Sequence, residues 1–141
     1  MRLLSSWIDG FLEYTDKGGS PRIWRKWTAI FTVAAAMERK VALVTNKGPL
    51  YPNLYAILVG PAGAGKTDSA SHARDMLRKL PEFHIASTSV SAASLMDELR
   101  DASRKIVRPE QIPAVTEFNS LTILSNELGV LIPSYENDFI N

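Results

Sequence analysis

The chain has 141 residues, 45% of them hydrophobic and 22% charged, the size and composition of one globular domain. Sixteen Lys and Arg against fifteen Asp and Glu leave a net charge of +1, which excludes a global electrostatic pull toward nucleic acid or membrane. With no cysteine and only His72 and His84 as histidines, a disulfide scaffold and a thiolate zinc site are excluded as well.

The N-terminal stretch places Leu3, Leu4, Trp7, Ile8, Phe11 and Leu12 at helical spacing, which predicts a short amphipathic helix over residues 3–14. Asp9 and Glu13 interrupt it too soon for a signal peptide. The longest largely apolar run, Trp27 to Met37, is too short to span a bilayer. A cytoplasmic location is therefore expected, with no membrane partner. Asp16 to Gly19 reads as a loop, and Ser20-Pro21 as an N-cap followed by proline at the first helical position. The next helix is predicted from Pro21 to about Glu38, with Ile23, Trp27, Ile30, Ala34 and Met37 as its core stripe, widened by Trp24, Phe31 and Ala35.

Arg22, Arg25 and Lys26 stand in the first turns of that helix, where the dipole disfavours cations. They belong to a basic half: residues 1–47 hold eight Lys and Arg against four Asp and Glu, and residues 48–141 hold eight against eleven. Two readings are open. The cluster is either a solvated face or a contact for a polyanion such as the DNA backbone.

Val41 to Thr45 reads as a strand and Asn46-Lys47-Gly48-Pro49 as a turn. A boundary near residue 47 separates a small helical N-terminal region, 1–47, from the remainder, 48–141. Leu54 to Val59 is a continuous apolar run and reads as a buried strand. It leads into Gly60-Pro61-Ala62-Gly63-Ala64-Gly65-Lys66-Thr67, which fits the phosphate-binding pattern G-x-x-x-x-G-K-[ST]. Nucleotide phosphates need many donors at short range. The glycines let backbone N–H groups converge on an anion, and the helix beginning near Gly65 adds its free amides and dipole. Lys66 brings a charge to the β and γ phosphates, and Thr67 offers a hydroxyl to Mg²⁺. Asp68 completes the expected nucleotide-binding set, and ATP with Mg²⁺ is the expected cofactor. In the helix that follows, Ala70, Ala73, Met76 or Leu77, and Leu80 share a face.

Beyond Pro81, residues 83–87 read as a second strand. A helix capped by Ser89 or Ser91 then carries Ala92, Leu95, Met96, Leu99 and Ala102 on one side. Residues 103–118, polar and interrupted by Pro109 and Pro113, read as a long loop. Leu121 to Leu124 reads as a third strand. It ends near Asn126 and Glu127, where P-loop ATPases place an aspartate for Mg²⁺ and a glutamate that orients water. Together these elements predict an α/β fold: a RecA-like or AAA+-like P-loop NTPase core with a parallel sheet. That core is expected to be incomplete at its C-terminal end, since three strands are fewer than the five or so of a doubly wound sheet.

The segments SPRIWRKWTAIFTVAAAMERKV (20–41), LYPNLYAILVGPAGAGKT (50–67) and LTILSNELGVLIPSYENDFIN (121–141) resemble a P-loop ATPase family of phages, prophages and other mobile elements, often linked to primase-polymerase domains. The resemblance implies an ATPase of DNA replication in the host cytoplasm. Its role would be a helicase-type motor that acts on DNA as a homo-oligomer or with replication proteins. It carries nucleotide binding to Gly60 through Thr67, a catalytic role to Lys66, and water positioning to Glu127. Asn126 departs from the usual aspartate and leaves only a weak, water-mediated metal contact there. The alternatives are a nucleotide switch or loader that does not hydrolyse, which Asn126 favours, and a small-molecule kinase. The kinase is disfavoured because no Arg or Lys follows Arg108 to form a lid. For the same reason, and because the sheet is short, the chain by itself is expected to bind nucleotide without turnover.

Overall fold

A computed structural model describes residues 6–87, 92–110, 113–126 and 129. The chain divides into two compact units, the first formed by Met1–Glu38 with Pro52–Phe83 and the second by Arg39–Tyr51 with His84–Asn141. The expected boundary near residue 47 falls inside a hairpin of the second unit.

The first unit is helical. Helix α1, Trp7–Tyr14, begins at Ser6, whose hydroxyl accepts from the Asp9 amide at 3.3 Å, the side-chain cap that satisfies an orphan donor. A 3₁₀ turn, Asp16–Gly18, leads to helix α2, Arg22–Met37. The proline signal locates the start of α2 to within a residue, but Pro21 itself is the cap, with ψ 138°, and Ser20 makes no capping bond. Helix α2 ends at Glu38, which takes φ 48°, ψ −124° and so stops the helical run. Helix α3, Lys66–Leu77, follows the glycine-rich loop.

Helix α2 packs against both α1 and α3. Its buried residues are Arg25, Thr28, Ala29 and Thr32, whereas Ile23 and Trp27 from the predicted stripe are 57% and 46% exposed. The reason lies in the partner. Helix α3 presents Ser69, Ala73 and Leu77, and small residues allow close approach. The hydroxyls then pair: Thr28 Oγ1 and Ser69 Oγ lie 2.8 Å apart, and Thr32 Oγ1 donates to the Thr28 carbonyl at 2.7 Å. Buried polar groups are tolerated when so satisfied. Phe11 and Leu12 of α1 and Leu77 complete this core. Burying a side chain such as Leu77 contributes roughly 1.5–3 kcal/mol.

The described residues of the second unit form two hairpins and a helix. Strands β1, Leu43–Thr45, and β2, Gly48–Leu50, pair antiparallel across a two-residue turn. Thr45 Oγ1 braces that turn by donating to the Gly48 carbonyl at 2.7 Å. Helix α4 is Ala92–Asp101. Strands β3, Ser103–Val107, and β4, Val115–Asn119, form the second antiparallel hairpin, with Lys105 opposite Glu117. The Lys105 ammonium lies 2.9 Å from the Glu117 carboxylate, whose hydrogen bond and charge hold the lysine above its usual range. Asn119 Nδ2 donates to the Leu99 and Arg100 carbonyls at 2.8 and 3.0 Å, closing the C-terminal end of α4.

This architecture corrects the expected fold class. A P-loop NTPase core would set residues 54–59, 83–87 and 121–124 side by side in a parallel sheet. Among the described residues the structure instead has two two-stranded antiparallel sheets. Residues 54–59 form no ladder, and Tyr55, Ile57 and Val59 are 94%, 70% and 80% exposed. Of the three expected strands, only the second and third meet, in one parallel bridge between Ile85 and Thr122. Its bonds are Ala86 N to Thr122 O at 2.9 Å and Thr122 N to His84 O at 3.1 Å. The stretch 103–118, read as a loop, is the β3–β4 hairpin, and Pro109 and Pro113 lie in its connection. No helix among the described residues is long and apolar enough to cross a membrane.

Candidate functional site

The glycine-rich loop enters α3 through two residues with left-handed backbone, Gly63 at φ 73° and Gly65 at φ 87°. A side chain at either position would be strained. Gly65 also caps α3, and its carbonyl accepts the first helical bond, from the Ser69 amide at 3.0 Å. The first amides of α3 have no carbonyl one turn back to bond. They face the loop end of the helix, with the positive end of its dipole behind them.

Lys66 is the first residue of α3, and its side chain folds back over the loop. Its Nζ donates to the Gly60 carbonyl at 2.6 Å and to the Pro61 carbonyl at 2.7 Å. The ammonium also lies 5.9 Å from the centre of the Trp24 ring, at the outer range of a cation–π contact. The loop thus gathers Gly60 through Lys66 around one cation and one helix N-terminus. Thr67, the next residue of α3, is exposed. Asp68 turns elsewhere: its carboxylate packs beside Gly18 and lies 3.8 Å from His72 Nε2. Chemically the arrangement can do one thing well, which is to receive an anion with backbone donors and a lysine.

The three cations at the start of α2 do not act as one group. Arg25 is 6% exposed. It donates through Nη1 to the Leu12 carbonyl at 2.7 Å, through Nε to the Ser20 carbonyl at 3.0 Å, and through Nη2 to Asp16 at 2.8 Å. Its guanidinium is spent on tying α1, the 3₁₀ turn and α2 together. A guanidinium fork suits this task, and a lysine could make only part of it. Arg22 and Lys26 are exposed. Arg22 lines a cleft of about 390 Å³ of mixed charge, with Asp9, Glu13 and Asp16 beside Lys17 and Arg25. Sequence reasoning missed the role of Arg25. The available signal was its place one turn after a proline cap, where a long side chain can reach back to the preceding turns.

Asn126 lies in the second unit, in an exposed bend. Glu127 falls outside the described residues. Among the described residues no group of three His, Asp or Glu side chains could hold a metal ion.

Comparisons of the chain with protein-family models, with curated proteins and with solved structures find no match.

Proposed function

We propose that the chain binds the phosphates of ATP, with Mg²⁺, through Gly60 to Thr67. The observation that carries this reading is Lys66: its ammonium is poised over a glycine-rich loop at the N-terminus of a twelve-residue helix. The motif alone would suit a turn, but a turn has no need of a lysine folded onto its own carbonyls. Those carbonyls are weaker partners than a phosphate, which carries full charge, so an arriving anion has a cation to recruit. Pyrophosphate should displace a bound fluorescent ATP analogue, and adenosine should not. Displacement by adenosine alone would mean that a base pocket, and not the loop, holds the ligand.

The wider role rests on the family resemblance of residues 20–41, 50–67 and 121–141: a nucleotide-dependent component of DNA replication in a phage or mobile element. Of the basic cluster, Arg22 and Lys26 remain exposed for a DNA backbone. Replacing both with Gln should reduce the slope of log affinity for single-stranded DNA against log salt by about 1.4, since each phosphate contact is worth about 0.7. An unchanged slope would leave both residues as a solvated face.

A further inference from the structure

Two residues outside the glycine-rich motif touch its two ends. A Cβ built on Gly60 would lie 2.6 Å from Cη2 and Cζ2 of Trp24, so the indole rests directly on that glycine. A Cβ built on Gly65 would lie 2.9 Å from Cα of Ser20 and 3.2 Å from its Cβ. Ser20 precedes the Pro21 cap and Trp24 stands in the first turn of α2, so one short stretch of chain backs both the entry and the exit of the loop. That stretch is itself fixed: Arg25 Nε holds the Ser20 carbonyl at 3.0 Å, and the Trp24 amide donates to the Pro21 carbonyl at 3.0 Å. Ser20 is 5% exposed, and its Oγ has no hydrogen-bond partner among the described residues.

We infer that Trp24, backed by Ser20, is a positioning residue that braces the phosphate loop, so that affinity for a nucleoside polyphosphate depends on an aromatic ring outside the motif. This rests on the reading of the loop as a phosphate site. A loop of glycine and alanine has many conformations to lose when it closes on an anion. Packing Gly60 against a flat ring and Gly65 against the Ser20 backbone removes much of that freedom before binding. The same geometry makes the indole a sensor. Lys66 Nζ lies 5.9 Å from the ring centre while it bonds the Gly60 and Pro61 carbonyls. A phosphate that draws the ammonium away changes the charge beside the indole.

The chain has three tryptophans. Replacing Trp7 and Trp27 with Phe leaves Trp24 as the only indole, and its emission can be followed while Mg-ATP is added, with calorimetry in parallel. The emission should change saturably with the calorimetric midpoint. Trp24→Ala should weaken binding about tenfold, and Trp24→Phe, which keeps a flat ring on Gly60, should restore it to within about twofold. If calorimetry shows binding while the emission stays flat and Trp24→Ala binds as tightly as the parent, the brace is overturned and the phosphate site stands. If the parent chain binds no nucleotide at all, both fall. Should Trp24→Ala fail to fold, the single-tryptophan titration decides alone, because it leaves the ring in place.

Discussion

Lys66→Ala is expected to weaken Mg-ATP binding by about ten- to a hundredfold, the equivalent of the 1.5–3 kcal/mol typical of a hydrogen bond to a charged group. The fold should be unaffected, because the Lys66 side chain bonds only loop carbonyls, Gly60 and Pro61, and both bonds are exposed to water. Losing a half-buried side chain whose carbonyl partners can turn to solvent costs little. The check is calorimetry on both proteins, with circular dichroism to confirm equal helix content. Equal affinity in parent and variant would remove Lys66 from the site. Loss of helix content would show that the lysine supports the fold, against the geometry described here.

Arg25→Met should lower the unfolding free energy by about 2–4 kcal/mol. The guanidinium donates to two main-chain carbonyls, Leu12 and Ser20, in a region where the arginine is 6% exposed. Methionine fills much of the volume but donates nothing, so both acceptors lose a partner. The Asp16 contact adds little, because that carboxylate is 74% exposed and water screens it. Arg25→Lys should recover only part of the loss. Urea denaturation, compared at equal slope, measures the effect. A variant with unchanged stability and weakened DNA binding would return Arg25 to the surface and to a polyanion.

What could be read from the sequence was what is local. Proline 21 marked the start of α2, and the contiguous motif 60–67 marked a loop followed by a helix; the structure places both within a residue or two. The buried face of α2 was not legible. Apolar periodicity points to Ile23 and Trp27, but the neighbouring helix offers Ser69 and Ala73, and hydroxyl pairing brings Thr28 and Thr32 inside. Sheet membership was not legible either. An apolar run such as 54–59 has the composition of a buried strand, but a strand exists only where a neighbour pairs with its backbone, and none does among the described residues. The β3–β4 hairpin escaped for the opposite reason. Its charged residues read as loop, and their compensation, Lys105 across from Glu117, appears only once the register is known.

Whether the backbone of the loop receives phosphate is read at individual backbone amides by NMR, in titrations with Mg-ATP and with pyrophosphate. Donation to a charged oxygen moves an amide resonance strongly. Large, saturable shifts are expected for Gly63, Gly65, Lys66 and Thr67 with either ligand. Shifts confined to residues outside 60–67, or none at ligand concentrations that saturate calorimetry, would contradict phosphate binding at the loop.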